Sequence, residues 1–384
     1  MLRVLTLSTL YPDAGRPTFG GFVERQTQAL AGLEDATVEV ASGVGLPPWP
    51  LSLHPHYRAR RRPESGVRNG VFVHRLPFRT VPRFPARAGK ALAAAWLPFL
   101  RAFREPFPFD VIDAEFFWPD GVAAMHLSRA LGVPFSVKAR GSDIHHWGGF
   151  PAVRAQMLQA AAAAGGLLAV SAALKASMVA LGMPGDRIAV HYTGIDLERF
   201  RPADRGAAKA ALGIEGPLLV SAGALIPLKG QALAIEALKQ LPGVNLILVG
   251  DGPERARLQA LAAPMGERVR FLGNRPHGEL PGLLAAADAM VLPSEREGLA
   301  NVWVEALACG TPLVISDVGG AREVVGGPQA GRLVAREAGA IAAGVREVLA
   351  AAAPSEAVRA YAVPFSWERN AAELRAHLGR VADS

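Results

Sequence analysis

One short stretch of the chain combines two carboxylates with the start of a predicted helix. An apolar run stops at Pro293, a polar loop carries Glu297, and a helical pattern begins at about Asn301, with Glu305 one turn inside it. The first N–H groups of a helix lack partners within the helix and lie at its positive end, so they bind phosphate. Carboxylates accept hydrogen bonds from hydroxyls. The stretch predicts a ligand with phosphates and hydroxyls, and we favour a nucleotide sugar.

Lys229 is the cation expected beside that ligand. It lies in a loop between a predicted strand, Leu218–Gly223, and the helical pattern that follows. A strand end that leads into a helix suits a compact cation that contacts phosphate. The alternative is an exposed loop lysine. Glu305 likewise has a simpler interpretation, that it complements the helix dipole for about 0.3 to 1 kcal/mol. Hydrogen bonds from ribose hydroxyls to its carboxylate would contribute about 1.5 to 3 kcal/mol each.

The first half of the chain offers a second set of candidates. Gly20 and Gly21 open the first predicted helix, where the absence of a Cβ lets the backbone approach a ligand. A plain turn would need glycine just as often. Arg140 and Asp143 follow a predicted strand in the sequence Arg-Gly-Ser-Asp, which could also be an ordinary capped turn. No acidic residue is spaced to make a metal site with the two histidines that follow.

The elements that position these residues alternate between strands and helices. Continuous apolar strands between helical patterns predict parallel sheets covered on both faces. The predicted strands are Arg3–Leu7, Thr37–Ala41, Val71–Leu76, Val111–Asp113, Phe135–Ala139, Gly166–Val170, Arg187–Val190, Leu218–Gly223, Asn245–Val249, Val269–Leu272, Met290–Leu292 and Leu313–Ser316.

A turn-rich segment between Thr193 and Pro202 divides this alternation. We therefore predict an α/β fold of two doubly wound, Rossmann-like domains, residues 1–200 and 201–364, with ligands bound where the carboxyl ends of their strands meet. The last segment, residues 365–384, is amphipathic and is predicted to form a helix that crosses back onto the first domain.

Composition excludes several classes of protein. The 384 residues include one cysteine, Cys309, so neither a disulfide framework nor a cysteine-based metal site is expected, and a reducing cytoplasm fits. We interpret Cys309 as a packing residue rather than a nucleophile. The N-terminus reads as a buried strand rather than a signal peptide, and no 18-residue apolar stretch could span a membrane.

The net charge of +7 is concentrated between His56 and Arg104. Aromatic residues alternate there with twelve basic residues, and Glu64 is the only acid. The simplest interpretation is a solvated basic loop. The alternative is a surface that binds anionic lipid headgroups at about 1 kcal/mol for each cation. Nucleic acid is disfavoured because no recognised binding module accompanies the charge. The basic residues are Arg58, Arg60, Arg61, Arg62, Arg68, Arg75, Arg79, Arg83, Arg87, Lys90, Arg101 and Arg104.

Together these residues resemble the family 4 (group 1) retaining glycosyltransferases of GT-B fold. The resemblance covers nearly the whole chain and is strongest from Leu218 to Val334. It rests on the paired glutamates together with shorter motifs in both halves. These motifs are Gly20–Gly21, Asp120–Gly121, Arg140–Asp143, Gly194–Asp196, Leu248–Pro253, Phe271–Gly273, Ala287–Asp288, Gly310–Pro312 and Asp317–Gly320.

The resemblance implies two domains that face each other across a cleft, the second holding a nucleotide-diphosphate sugar and the first a glycan or lipid-linked acceptor. It assigns Glu305 to the ribose and Glu297 to the donor sugar. It assigns the diphosphate to Lys229 and to the backbone of Leu299, Ala300, Asn301 and Val302. Gly20 and Gly21 would contact the phosphates from the opposite wall of the cleft. Asp143 would lie near the transferred sugar. No cofactor or metal ion is implied, because these cations and N–H groups would stabilise the departing diphosphate.

Two residues depart from the family pattern. Ala224 stands where an arginine usually precedes the lysine, and Arg140 stands where a histidine is usual. Loss of a cation beside a buried phosphate could cost about 2 to 5 kcal/mol, and our hypothesis is that Arg140 supplies the missing cation.

The leading prediction is a glycosyltransferase of cell-surface polysaccharide or glycolipid synthesis, cytoplasmic or peripheral to the inner membrane face. The alternatives are a sugar-nucleotide-binding subunit with little turnover and a nucleotide-sugar epimerase. The sequence leaves open the donor base and sugar, the acceptor, the linkage and the oligomeric state.

Overall fold

The computed structural model of the chain describes residues 1–16, 19–54, 57, 63–81 and 84–384. Of the basic segment, Arg58, Arg60, Arg61, Arg62 and Arg83 lie outside the described residues. The chain divides into two compact units. Unit 1 consists of residues 1–194 and 367–384, and unit 2 of residues 195–366.

Unit 1 is built on a sheet in the strand order β3-β4-β2-β1-β5-β6-β7-β8. Its strands are β1 Leu2–Leu7, β2 Ala36–Leu46, β3 Gly66–Arg68, β4 Val71–Arg79, β5 Val111–Ala114, β6 Phe135–Ala139, β7 Gly166–Ala169 and β8 Ile188–Val190. Its first helices are α1 Gly21–Ala31, α2 Ala88–Phe103, α3 Val122–Leu131, α4 Ser142–His145, α5 Pro151–Ala163 and α6 Ala172–Ala180.

Unit 2 has the strand order β11-β10-β9-β12-β13-β14. Its strands are β9 Leu218–Ala222, β10 Asn245–Val249, β11 Val269–Gly273, β12 Ala289–Leu292, β13 Leu313–Ser316 and β14 Gly331–Val334. Its helices are α7 Arg205–Ala211, α8 Gln231–Ala237, α9 Arg255–Ala262, α10 Leu280–Ala286, α11 Asn301–Ala308, α12 Ala321–Val324, α13 Ala338–Ala351 and α14 Ser355–Arg359.

The last helix, α15 (Trp367–Ala382), belongs to unit 1. Leu374 and Leu378 on this helix are fully buried and pack in one cluster with Leu2 and Val4 of β1. The ring of His377 also lies 2.8 Å, Nε2 to Oγ, from Ser136 of β6. Apolar burial and a hydrogen bond therefore attach the C-terminal helix to the first sheet.

The predicted doubly wound α/β architecture is confirmed. Adjacent strands pair in parallel in both sheets, and the apolar strands are buried between layers of helices. The exception to parallel pairing is β3, a strand that was not predicted, which pairs antiparallel with β4 at one edge of the first sheet. The sequence pattern does not reveal β3 because Gly66–Arg68 is three residues long and lacks an apolar run. It also misses β14, which begins with glycine and arginine.

Candidate functional site

The strand order of unit 2 reverses direction between β9 and β12, and ligands of doubly wound sheets bind outside the carboxyl ends of strands at such a point. The loops that follow these two strands pack closely. The backbone N–H of Glu295 donates to the carbonyl of Leu228 at 2.7 Å. Gly230 has a φ of +70°, and a Cβ there would lie 2.3 Å from the carbonyl oxygen of Pro293. A glycine at 230 therefore permits the contact between the loops.

Lys229 and Glu297, both predicted site residues, meet at this point. Nζ of Lys229 lies 2.5 Å from Oε1 of Glu297, and both side chains are mostly buried. Lys229 ends a 3₁₀ turn, Pro227–Lys229, and Gly230 follows it as the residue before α8. The ion pair thus places one cation and one carboxylate at the switch point of the second sheet.

Helix α11 begins directly after this loop. Ala300 precedes the helix, and no side chain among the described residues caps it. The N–H groups of Asn301 and Val302 lie in its first turn, where they have no partner within the helix. The four predicted backbone donors, Leu299 to Val302, are therefore consecutive residues at the positive end of α11.

The loop after β13 packs against the loop that precedes α11. The N–H of Gly320 donates to the carbonyl of Gly298 at 2.7 Å. A Cβ at Gly319, whose φ is +52°, would lie 2.0 Å from the carbonyl oxygen of Glu297. These contacts explain why glycines stand at 319 and 320, because the loop that carries Glu297 passes too close for side chains.

Glu305 lies one turn inside α11, as predicted, and is buried. Its Oε1 is 2.9 Å from Nε2 of His277, in the loop between β11 and α10, and the His277 ring packs at 5.2 Å from that of Phe200. His277 is not among the site residues predicted from the sequence. The available signal was weak, since a single histidine after an edge strand gives no indication that it contacts a glutamate on helix α11.

Ala224 is exposed, just after β9. Another cation of unit 2 contacts the same group of loops: Nε of Arg336, which follows β14, donates to the carbonyl of Pro293 at 3.0 Å. Its Nη1 is 3.8 Å from Glu295. Arg336 is thus a cation at the carboxyl edge of the second sheet, and it is not among the site residues predicted from the sequence.

In unit 1, the glycine pair lies at the start of α1. Gly20 has a φ of +74°, and a Cβ there would lie 2.0 Å from the carbonyl oxygen of Leu10. At Gly21, in contrast, a Cβ would have no described atom within 4 Å. Gly20 is therefore required by the fold itself, whereas the space around Gly21 is compatible with the predicted approach of a ligand.

Asp143 is fully buried, and its carboxylate accepts hydrogen bonds from backbone N–H groups. The donors are Phe117 at 3.0 Å, Arg140 at 3.1 Å, Gly141 at 2.8 Å and Ile144 at 3.1 Å. Burial raises the pKa of Asp143, and these hydrogen bonds oppose the shift. The side chain thus fixes the loop that carries Arg140. Contact of Asp143 with a sugar stays a prediction.

The Arg140 side chain is only 5% exposed and forms an ion pair with the buried Glu115. It also donates to Gln26 at 3.1 Å and to Thr193 at 3.3 Å. Burial alone would raise the pKa of Glu115, but the charges of Arg140 and Lys138 outweigh burial and lower it. The backbone N–H of Arg140 donates to Asp143, but the Arg140 guanidinium already has a carboxylate partner in Glu115. The clamp role stays a prediction.

The aromatic residues of the basic segment are mostly not available to a membrane. Phe78 and Trp96 are buried in the core of unit 1, so neither side chain can insert into a bilayer. Phe99 and Phe103 are partly buried, with ring centroids 5.0 and 4.5 Å from that of His74. Phe84 and Phe72 are exceptions, with 55% and 38% of their surfaces exposed.

Three further properties concern the described residues only. None of their helices has both the length and the apolar character needed to cross a membrane. No group of three or more histidine, cysteine or acidic side chains is arranged to hold a metal ion within residues 1–16, 19–54, 57, 63–81 and 84–384. Cys309 is buried, and burial raises the pKa of its thiol to about 12, in agreement with a packing role.

Comparison with known proteins identifies the family. Residues 204–363 match the family model for group 1 glycosyl transferases, and residues 48–199 match that for glycosyltransferase family 4. TuaC of Bacillus subtilis, named as a teichuronic acid biosynthesis glycosyltransferase, is 31% identical over 340 residues, 85% of this chain and 83% of TuaC. The D-inositol 3-phosphate glycosyltransferase of Mycobacterium bovis is 37% identical over 212 residues, 51% of this chain and 44% of that protein.

Solved structures share the fold along almost the whole length. Sucrose-phosphate synthase from Thermosynechococcus elongatus superposes with a TM-score of 0.79 at 21% identity, over 98% of both chains. HepE of Anabaena, solved in complex with UDP, gives a TM-score of 0.75 at 22% identity, over 99% of this chain and 100% of HepE. The fold is therefore GT-B, as predicted. The chain is a glycosyltransferase and belongs to family 4, the group 1 glycosyltransferases.

Proposed function

We propose that the protein transfers a sugar from a nucleotide-diphosphate sugar to an acceptor hydroxyl with retention of configuration. We further propose that it acts in cell-surface polysaccharide or glycolipid synthesis. Two similarities support this proposal. The similar protein TuaC is named for teichuronic acid biosynthesis, and the similar structure HepE was solved with UDP, with UDP and glucose, and with UDP-glucose.

The observation that carries the proposal is the ion pair of Lys229 with Glu297 beside the start of α11. Breaking a glycosyl–phosphate bond leaves negative charge on the departing diphosphate. Fixed N–H groups and a cation stabilise such charge without having to reorganise during the reaction. Lys229 and the N–H groups of residues 299–302 would supply this stabilisation, and Glu297 would accept hydrogen bonds from the donor sugar.

Glu305 would then hold the ribose. Its carboxylate is buried one turn along α11 from the phosphate-binding N–H groups, and His277 holds one of its oxygens at 2.9 Å. A charged acceptor with a fixed orientation can accept hydrogen bonds from ribose hydroxyls. In unit 1 we propose that the backbone at Gly20 and Gly21 approaches the donor phosphates and that the loop held by Asp143 lies near the transferred sugar.

Retention would follow from attack by the acceptor hydroxyl on the face that the diphosphate leaves, with a leaving-phosphate oxygen taking the hydroxyl proton. We propose that this reaction needs no divalent cation because Lys229 and the N–H groups neutralise the leaving group. Turnover by the purified chain should then persist in excess EDTA. We also propose that the protein works at the inner face of the cytoplasmic membrane, where the basic segment would meet anionic lipid.

A second function is a sugar-nucleotide-binding subunit with little turnover, and two observations favour it. Ala224 provides no cation at the proposed phosphate site, and the guanidinium of Arg140 is held by Glu115. The two functions differ in one measurement, the release of nucleoside diphosphate by the purified chain in the presence of acceptor.

The experiment that tests the proposal begins with a thermal-shift screen of the full chain against a panel of nucleotide sugars. A ligand at 100 times its Kd stabilises the folded state by about 2.7 kcal/mol. The donor found in this way is then incubated with the protein and a membrane lipid extract. The product is analysed for the anomeric configuration of the new glycosidic bond. Donor binding without hydrolysis or transfer would support the binding subunit, and absence of binding across the panel would refute both.

A further inference from the structure

Unit 1 contains an apolar cavity of about 280 Å³ that the proposed function does not use. We propose that this cavity binds the hydrocarbon part of a membrane-lipid acceptor with an anionic head. The inference rests on the proposed function, because it names the chemical class of the acceptor for the same transfer reaction.

The cavity occupies the position of a ligand site in a doubly wound sheet. The strand order of unit 1 reverses between β1 and β5. Thr9 and Leu10, which follow β1, line the cavity on one side, and Phe116 and Trp118, which follow β5, line it on the other. The crevice outside the carboxyl ends of strands at such a reversal is where these sheets bind ligands. Leu10 also contacts Gly20 through its carbonyl, which connects the cavity wall to the predicted site.

The lining is suited to hydrocarbon rather than to a glycan. Phe78, Phe116, Trp118 and Trp147 contribute aromatic side chains. A sugar brings many hydroxyls, and each loses free energy on burial unless it finds a hydrogen-bond partner. A hydrocarbon chain has no such requirement.

Two glycines help to create the space. Gly43 and Gly45 lie on the same face of β2, because residues two apart in a strand share a face, and both line the cavity. Neither places a side chain in it. The cavity volume of about 280 Å³ is several times the roughly 30 Å³ that one water molecule occupies in the liquid. The cavity therefore has room for a short run of methylene or isoprenoid carbons, and a longer hydrocarbon chain would continue outside it.

Apolar residues continue outward from the mouth. Phe19 and Val81 line the cavity and are nevertheless 39% and 36% exposed, and Phe84 adjoins the lining residue Pro85. Further exposed apolar residues follow the carboxyl end of β2, the strand between β1 and β4. They are Trp49, Leu51 and Leu53. Large apolar side chains on loops at one edge of a sheet suit insertion into a lipid surface.

The charge around this edge selects an anionic lipid. Arg79, at the end of β4, and Arg87, just before α2, are exposed, and the Arg87 guanidinium lies 5.2 Å from the centre of the Phe84 ring. From His56 to Arg104 the sequence has twelve basic residues and one acid, but five of the twelve lie outside the described residues, so only Arg79 and Arg87 are counted at this edge. Cations beside exposed apolar groups attract a lipid whose head carries phosphate and whose chain is apolar.

The test uses decyl phosphate as the probe, below its micelle-forming concentration, with isothermal titration calorimetry on the full chain. Ala88 lines the cavity at the start of α2, and A88L fills part of the space. We expect A88L to weaken decyl phosphate binding about tenfold. A102L, at an exposed position of the same helix, is the matched control and should bind as the parent does.

A second pair of variants guards against misfolding of A88L. V81S removes apolar surface at the mouth, whereas V179S makes the same change at an exposed valine on α6. Of this pair, we expect V81S to bind decyl phosphate more weakly than the parent chain and V179S to bind it as the parent chain does. Equal binding by the parent chain, A88L and V81S would overturn the inference. Binding of inorganic phosphate as tight as that of decyl phosphate would also overturn it, since the decyl group would then contribute nothing to affinity.

Failure of this inference is separable from failure of the proposed function. The nucleoside diphosphate of the donor found in the screen is titrated into the same variants. These substitutions leave unchanged the residues of unit 2 that are proposed to bind the diphosphate. If the diphosphate binds and decyl phosphate does not, the acceptor inference alone fails. If the parent chain binds no nucleoside diphosphate, the proposed function fails first.

Discussion

Nζ of Lys229 and Oε1 of Glu297 lie 2.5 Å apart, each in a loop that follows a different strand of the second sheet. The ion pair holds the lysine ammonium in place before any ligand arrives. A cation with a fixed position stabilises developing negative charge better than a mobile one, because less reorganisation accompanies the reaction. This relationship leads to the first prediction.

Replacement of Lys229 by alanine should lower kcat about 10²- to 10³-fold, the range seen when one group that stabilises developing negative charge is removed. The measurement is steady-state turnover with the donor identified by thermal shift. Lys239→Ala is the control, because Lys239 is an exposed lysine in the same unit. Parent-like turnover by Lys229→Ala would contradict the assignment of Lys229 to the leaving group.

Glu305 and His277 should affect donor binding to different degrees. Glu305→Ala removes the proposed ribose acceptor and should raise the donor Kd by about 10- to 150-fold, which corresponds to about 1.5 to 3 kcal/mol. His277→Ala leaves the carboxylate but frees its orientation, so its effect should be smaller. Isothermal titration with the nucleoside diphosphate measures both. A larger loss in His277→Ala than in Glu305→Ala would show that the histidine, not the glutamate, contacts the ligand.

Substitutions at Gly20 and Gly21, at the start of α1, should affect stability and turnover differently. Gly20→Ala places a Cβ against the Leu10 carbonyl at a positive φ, and the strain should destabilise the fold by about 1 to 3 kcal/mol. Gly21→Ala meets no described atom within 4 Å, so its unfolding midpoint should stay close to that of the parent chain. If the backbone at Gly21 approaches the donor, the same variant should lose turnover. Parent-like turnover in folded Gly21→Ala would remove Gly21 from the site.

The sequence was sufficient to predict the groups that local patterns position. Glu297, Glu305 and the start of α11 share one strand, loop and helix, so their order along the chain determines their arrangement. Lys229 could be placed beside them because both loops follow strands at the same sheet edge. Contacts between distant segments were not predictable in this way. The pairs His277–Glu305 and Arg140–Glu115 join segments that are distant in the sequence, and their separation depends on side-chain packing.

The buried carboxyl group of Asp120 should make stability depend on pH. Burial raises its pKa to about 8, and the hydrogen bond from the Thr9 N–H at 2.8 Å opposes the shift. The folded state therefore retains a proton that the unfolded state loses at lower pH. The stability from this group is fully present below about pH 4 and is lost as pH rises towards 8, by at most about 1.4 kcal/mol per pH unit.

Asp120→Asn carries an amide of the same shape that does not ionise. The free energy of unfolding of the parent chain, minus that of the variant, should fall as pH rises from 5 to 7.5. Urea unfolding at several pH values measures this difference. A difference that stays constant or rises with pH would show that Asp120 is ionised in the folded protein throughout that range.

Arg140 provides the last prediction, and it requires two variants because the residue has a structural partner. Arg140→Met leaves the Glu115 carboxylate buried without its guanidinium partner, which should cost about 3 to 5 kcal/mol of stability. Lost activity in this variant alone would not distinguish misfolding from loss of a phosphate contact. Combining Arg140→Met with Glu115→Gln removes both charges and should recover part of the stability.

The double variant then reports on the role of Arg140 at the phosphate. If Arg140 supplies the cation that Ala224 lacks, the folded double variant should still lose donor affinity and turnover, by an amount like that expected of Lys229→Ala. Arg336→Ala gives the comparison in unit 2, because Arg336 contacts the Pro293 carbonyl in the loop that carries Glu297. Intact donor affinity and turnover in the double variant would refute the role of Arg140. A loss in Arg336→Ala alone would assign the missing cation to Arg336.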